Sequence, residues 1–238
     1  NDPNLTSSVL DIKGKRAKVL DKIIEINKQD RVMMFPEKIV SDLCEWRNDS
    51  NDLFVDFETI SDIFSTFDDL PIQKKSNMIF MIGAGYYDEN KKWNHKSFTV
   101  NELTSTEEVR IMKEFNEFIQ ERNNPKLIHW CADENFWKNA LLRNKNITLP
   151  YYKWFDLHKL FLTEPIVIKN CYKYGLKQIV KAMNENNMIS IKNESETVSN
   201  GMTAMVQAWE YYQNKGDCQI IKQIDLYNRF DVKVLFEV

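Results

Sequence analysis

Two carboxylates stand in a short stretch that otherwise has the character of a buried strand. In "LFVDFETI", residues 53–60, Asp56 and Glu58 are surrounded by Leu, Phe, Val and Ile. Desolvating a carboxylate is costly unless a positive group compensates for it. Residues i and i+2 of a strand share a face, so both side chains can bind one cation such as Mg²⁺ or Mn²⁺. Such a pair can support two-metal attack at phosphate; the alternative is a solvated sheet edge.

A second pair of acids follows another strand-like segment. In "LIHWCADENF", residues 127–136, Asp133 and Glu134 stand side by side where a helix is predicted to begin. The more common role for Asp133 is that of helix N-cap. Glu134 can point back over the sheet as a ligand, or simply interact favourably with the helix N-terminus. We therefore take Glu134 as the candidate ligand and keep Asp133 as its rival.

The last helical segment supplies a third acid. In "LYNRFDVKVL", residues 226–235, Tyr227 and Asp231 are four residues apart and so lie on one helix face. The Asp231 carboxylate can join Asp56 at a metal ion, while the Tyr227 phenol can orient an attacking water. Taken alone, most pairs at this spacing are surface or partly buried residues.

Strands and helices must bring these groups together, and the apolar pattern predicts an α/β fold. Strand-length segments at residues 53–60, 77–88 and 95–100 come first and suit an antiparallel meander. The clearest amphipathic helix spans residues 105–122, with Ser105 or Thr106 as its N-cap. Further strands and helices then alternate, with an extended segment at "WFDLHKLF", which predicts the order β-β-β-α-β-α-β-α-α-α.

The first 50 residues differ from the rest of the chain in their hydrophobic pattern. Residues 9–30 show loosely helical spacing, and a short helix is predicted around residues 40–48. We predict a helical or irregular arm over residues 1–50, which could belong to a preceding domain, and a main domain over residues 51–238. The chain opens without methionine and stops within an apolar helical pattern, so we expect a piece excised from a longer polypeptide.

Composition limits the possible settings of the protein. The 238 residues are 43% hydrophobic and can bury a large core, while a net charge of -3 spread along the chain shows no basic stripe. The spacing of the four cysteines does not match that of a zinc site. It favours a reducing cellular compartment, the cytoplasm or the nucleus. No apolar run reaches the roughly 18 residues of a membrane helix, so we expect an intracellular protein with no membrane partner.

Five segments, taken in order, resemble the DnaQ-like 3′–5′ exonucleases of the ribonuclease H-like superfamily, in their tyrosine-type DEDD class. The resemblance covers about residues 51–238. It is closest to the nuclease domains that accompany RecB-like nuclease or helicase modules, which show "vDxET", "HxxxxE", "DL", "sLK" and "YNxxDv". The matching segments are "FVDFET", "LIHWCADENF", "WFDLHKL", "YGLKQIV" and "LYNRFDVKVL".

The resemblance implies a mixed sheet, with three antiparallel strands followed by parallel strands, flanked by helices. It also implies two divalent cations, Mg²⁺ or Mn²⁺, and hydrolysis of single-stranded DNA or RNA from the 3′ end, in DNA repair or replication. The family's acids and tyrosine fall on Asp56, Glu58, Glu134, Asp231 and Tyr227. The usual second-motif aspartate is replaced by Glu134. Covalently linked nuclease or helicase domains are the implied partners.

Two alternatives stay open. The domain could be the proofreading part of a family B DNA polymerase, or a nucleic-acid-binding module of a larger nuclease or helicase with a weak or inactive centre. Two further residues have competing roles: Asp156 in "WFDLH" fits a helix cap as well as an acid of the family, and Lys177 in "YGLKQ" could contact a phosphate or simply be solvated.

Overall fold

The computed structural model describes residues 4–36, 52–61, 77–90, 92–214 and 217–238. Within these ranges a five-stranded mixed sheet forms the centre of the fold. Its strands are β2 (Leu53–Ile60), β3 (Met78–Tyr87), β4 (Trp93–Thr99), β5 (Lys126–His129) and β6 (Lys153–Asp156). A separate antiparallel pair joins β1 (Met34–Phe35) and β7 (Val167–Ile168).

The sheet has the predicted topology. Its strand order is β4-β3-β2-β5-β6. Strands β2, β3 and β4 are antiparallel neighbours, whereas β5 pairs in parallel with both β2 and β6. The expected α/β fold, an antiparallel meander followed by parallel strands, is therefore confirmed, and β2 is its central strand.

Helices pack on both sheets. They are α1 (Lys15–Lys28), α2 (Ser105–Gln120), α3 (Asp133–Arg143), α4 (Leu157–Thr163), α5 (Leu176–Glu185), α6 (Gly201–Asn214) and α7 (Gln219–Glu237). No helix in the part of the chain described is long and apolar enough to cross a membrane.

The starts of two helices differ from the predictions, and a capping hydrogen bond marks each of them. Thr104, rather than Ser105 or Thr106, is the N-cap of α2, and its side chain accepts a hydrogen bond from the Glu107 N–H. The segment predicted to be extended, residues 154–161, is extended only as far as Asp156 in β6. From Leu157 it forms the short helix α4, which Asp156 caps by accepting from the Lys159 N–H.

The N-terminal region packs on the rest of the fold through the β1–β7 pair and a small apolar cluster. Ile23 and Ile26 of α1 are buried together with Val167 of β7. The predicted helix at residues 40–48 lies outside the described ranges, as does the predicted domain boundary at residue 50. The division into arm and main domain therefore stays a prediction.

Alternate side chains of β2 enter two apolar clusters. Leu53, Val55 and Phe57 pack in a cluster that contains Phe115 of α2 and Trp137 of α3. Phe54 belongs to the second cluster, which holds α4, α5 and α7 against the sheet through Leu157, Ile179 and Val232. Because side chains alternate across a strand, Asp56 and Glu58 share the face of Phe54 and meet α7.

One buried charge ties α2, α3 and β3 together. Glu108 is fully buried and forms an ion pair with Arg143, whose side chain is only 4% exposed. The Glu108 carboxylate also accepts hydrogen bonds from the Ile79 N–H, at 2.8 Å, and from Nδ2 of Asn144, at 2.8 Å. Each oxygen of this carboxylate therefore has donors, and the charge is compensated.

Arg143→Met should strongly destabilise the fold, because it leaves Glu108 buried without its cation. We expect a loss of about 3–5 kcal/mol in the free energy of unfolding. Urea denaturation measures it. The control is Lys138→Met, which breaks the more exposed pair with Glu134 and should cost about 0–1 kcal/mol. Equal losses in the two variants would contradict this role for Arg143.

Candidate metal centre

Strand β2 places two carboxylates on the sheet face that meets α7. Glu58 is 5% exposed, while Asp56 is half-buried. The pairing of β2 with β3 shifts register between Glu58 and Thr59. Such irregularities re-aim side chains and recur beside functional sites. The two acids therefore lie together in an otherwise apolar part of the sheet.

Helix α7 brings the third carboxylate. Asp231 is 7% exposed, and one oxygen from each of Asp56, Glu58 and Asp231 lies within 4.8 Å of the others. Tyr227, one turn earlier on α7, is 3% exposed and lies beside the same acids. The structure thus brings together four of the five residues singled out from the sequence.

Two glycines of β3 let α7 approach so closely. A Cβ atom at Gly83 would lie 1.7 Å from Oδ1 of Asn228, and one at Gly85 would lie 2.5 Å from Cγ1 of Val232. Any side chain at these positions would push α7 and its Asp231 away from the sheet. A glycine inside a strand indicates such an approach, so "GAG" at residues 83–85 was an available signal.

Burial makes these carboxylates hard to ionise. Desolvation raises the pKa of Glu58 from 4.5 to about 8; the charge of Asp231 adds to the rise, and a hydrogen bond from Asn228 opposes it. Desolvation likewise raises the pKa of Asp231 from 3.8 to about 6. The pKa of Asp56 is raised well above 3.8 by desolvation first and then by the neighbouring acids.

The fourth carboxylate near this group is Asp133, not Glu134. Asp133 is 3% exposed, and its charge contributes to the raised pKa of Asp56. Its Oδ1 accepts a hydrogen bond from the Phe57 N–H, at 3.2 Å, and its Oδ2 lies 3.7 Å from Nδ1 of His129. The predicted capping role of Asp133 is wrong: the N-cap of α3 is Ala132, and no side chain caps that helix.

Glu134 lies away from the acids. Its carboxylate pairs with Lys138 at 2.7 Å, on a partly exposed side of α3. The reason is helical geometry, since successive residues are rotated by about 100° and only one of two neighbours can face the sheet. With α3 beginning at Asp133, that residue turns inward and Glu134 turns out.

Among the described residues, Lys177 is a cation that acts on the cluster. Its charge lowers the pKa of Asp56, Glu58 and Asp231, against the larger effect of burial. Its Nζ donates to the Ser199 carbonyl at 2.7 Å and lies 4.4 Å from the centre of the Tyr227 ring. The motif "YGLKQ" indicated Lys177 as a possible phosphate contact. Its electrostatic effect on the three acids is evident only from the structure.

The donor set fits a divalent cation. Within the described ranges no ion pair includes Asp56, Glu58 or Asp231, and Oδ1 of Asp231 is buried without a hydrogen-bond partner. Three neighbouring carboxylates whose ionisation is opposed by burial are stabilised when a bound cation replaces their protons. Hard oxygen ligands of this kind suit Mg²⁺, Mn²⁺ or Ca²⁺.

Without metal, the protein should become less stable as the pH rises. Glu58 binds its proton more tightly in the folded chain, so the loss begins above the unfolded pKa of 4.5 and is complete above about 8. We expect the melting temperature in EDTA to fall from about pH 5 to about pH 8. Added Mn²⁺ should raise it most at the upper end, where the carboxylates are charged. Thermal melts followed by circular dichroism measure both effects.

Asp231→Asn is the matched control for that pH dependence. It removes one of the repelling charges, so its metal-free melting temperature should fall less over the same interval and should gain less from Mn²⁺. A native profile that rises between about pH 5 and about pH 8 in EDTA would contradict the assignment of these raised pKa values.

Comparison with known proteins agrees with the fold and with the acidic group. No curated protein matches the chain. Residues 53–238, well over half of the sequence, match a family model described as RNase_H superfamily. Nucleases of this superfamily use divalent metals, and here two acids of β2 and one of α7 form a group that could hold such an ion. The chain therefore belongs to the RNase H superfamily.

Proposed function

We propose that this chain is a two-metal 3′–5′ exonuclease of the DnaQ-like, tyrosine-type DEDD class, acting on single-stranded DNA or RNA. The observation that carries the proposal is the convergence of Asp56, Glu58 and Asp231, with ligand oxygens within 4.8 Å of one another and Tyr227 beside them. Bound Mg²⁺ or Mn²⁺ would make a water more nucleophilic and would stabilise charge on the leaving 3′ oxygen.

The carboxylates have one shared task, which is to hold cations against the scissile phosphate. Asp56 feels the charges of Glu58, Asp231 and Asp133, so it would serve as the shared ligand, with the other acids around it. We assign the fourth position to Asp133, because it is buried next to Asp56 whereas Glu134 pairs with Lys138. Superfamily membership supports hydrolase activity, and the acids supply its metal ligands.

Tyr227 would act as a hydrogen-bond donor through its phenol O–H. Burial, followed by the charges of Asp231, Glu58 and Asp56, raises the pKa of its phenol far above the usual value, so the group stays protonated at neutral pH. A protonated phenol can donate a hydrogen bond to the attacking water or to a phosphate oxygen and fix its direction. Tyr227 is therefore assigned an orienting role rather than that of a base.

Lys177 would supply positive charge to the substrate. Its ammonium group is held against Tyr227 and lies within electrostatic reach of the acids. A phosphate that enters beside the cations would then meet a second compensating charge. Nuclease or helicase modules linked to this domain would deliver the single strand inside the cell.

Digestion of oligonucleotides tests the proposed reaction. With 5′-labelled single-stranded DNA or RNA and Mg²⁺ or Mn²⁺, the native chain should give a ladder of progressively shortened products, and EDTA should abolish it. Asp56→Ala and Asp231→Ala should abolish it as well, because each removes a ligand.

The control for these variants is Asp88→Ala, which removes a partly exposed acid from the turn between β3 and β4 and should leave the ladder unchanged. Absence of cleavage in every metal, together with binding of the oligonucleotide, would replace the exonuclease by the nucleic-acid-binding alternative. Internal cleavage without a ladder would contradict the 3′–5′ direction.

Two adjacent substitutions test which acid completes the site. Asp133→Asn should reduce kcat by about 10²-fold or more, since it removes a carboxylate next to Asp56. Glu134→Gln, one residue along the same helix, should retain activity because it only releases Lys138. Single-turnover digestion measures the difference, and the opposite ranking would assign the position to Glu134.

A further inference from the structure

A neutral side chain lies directly behind the acidic group. Asn228 is fully buried on α7, between Tyr227 and Asp231 in sequence. Its Nδ2 donates to Oδ2 of Asp56 at 3.1 Å and lies 3.4 Å from Oε1 of Glu58. The same nitrogen also donates to the main-chain carbonyl of Asp56, at 3.1 Å. One amino group therefore links both carboxylates of β2 and the strand itself to α7.

The chemistry of this position suits a carboxamide. An amide offers two N–H donors and no charge, so it can restrain anionic oxygens without competing with a cation for them. A lysine or arginine here would neutralise the acids, and an aspartate would add a further buried negative charge. The amide stabilises the orientation of the ligands while leaving their charge available.

The absence of a side chain at Gly83 leaves room for this amide. Gly83 of β3 pairs in register with Asp56, so it lies directly beside the acid that Asn228 contacts. A Cβ atom at Gly83 would lie 1.7 Å from Oδ1 of Asn228 and 3.1 Å from Nε2 of His95. The Asn228 side chain therefore interacts with His95 on one side, while its amide nitrogen is directed at the acids on the other.

We propose that Asn228 is a positioning residue, which holds Asp56 and Glu58 in the arrangement that binds metal, and that Gly83 is required because it leaves room for it. This inference rests on the proposed metal-dependent function. Partners behind the ligands of a metal site typically change metal affinity by about 10–100-fold when they are removed. A residue that only packed the core would change stability and leave metal affinity unaltered.

Titration calorimetry with Mn²⁺ on the native chain and on Asn228→Ala tests the inference. We expect the variant to bind Mn²⁺ about 10–100-fold more weakly. The matched control is Asn144→Ala, which removes another buried asparagine with two hydrogen bonds, to Glu108 and to the Ala140 carbonyl, at the end of α3 opposite to Asp133. It should lose stability but keep native metal affinity.

Gly83→Ala gives an independent test in which Asn228 is retained. The added methyl group should displace the amide and weaken Mn²⁺ binding in the same direction. In the Asn228→Ala background the space is vacant, so Gly83→Ala should then have little further effect. This non-additivity is the signature of two residues that act through one contact. If Asn228→Ala does not fold, Gly83→Ala alone decides.

The outcomes separate this inference from the proposed function. If the native chain binds no Mn²⁺, the metal site and the role of Asn228 fail together. If the native chain binds Mn²⁺ and Asn228→Ala or Gly83→Ala binds it equally well, only the role of Asn228 is overturned. Equal weakening in Asn144→Ala would also overturn it, because the effect would then follow from stability alone.

Discussion

The repulsion and desolvation of three neighbouring carboxylates are the constraint on which the rest of this structure depends. Asp56, Glu58 and Asp231 would separate if they were free to do so, since burial raises the pKa of each and the charge of at least one neighbouring acid raises it further. They are held together by apolar packing of α7 on the sheet, through residues such as Val232 and Leu235. The energy for assembling the acids therefore comes from a hydrophobic interface, and the glycines of β3 allow that interface to be close.

Strand order explains how distant segments reach one point. Because β2 is the central strand, it has β3 on one side and β5 on the other. The parallel pairing with β5 ends at Phe54 and Ile128, and the Phe57 N–H beyond it is satisfied by the carboxylate of Asp133 instead. The chain thus uses an acid to complete the hydrogen bonding of the strand, and the same contact places that acid next to Asp56.

Sequence patterns predicted what is local and missed what depends on packing. The shared face of Asp56 and Glu58 follows from strand alternation, and that of Tyr227 and Asp231 from helical spacing, so these pairs could be identified directly. The choice between Asp133 and Glu134 could not, because a shift of one residue in the start of α3 exchanges which side chain faces inward. The motif "YNxxDv" includes Asn228 but predicts no role for it, because that role depends on Gly83, a residue 145 positions away in a different element.

The chain buries carboxylates in two contrasting ways, and the contrast bears on function. Glu108 is given a guanidinium group, an amide and a main-chain N–H, so its charge is satisfied from within the fold. Asp231 has one buried oxygen without a hydrogen-bond partner, and Glu58 receives only a long contact from Asn228. The fold compensates Glu108 fully from within but leaves Asp231 and Glu58 dependent on something from outside. That dependence is what a site for a mobile cation requires, because a compensating arginine at the same place would exclude the ion.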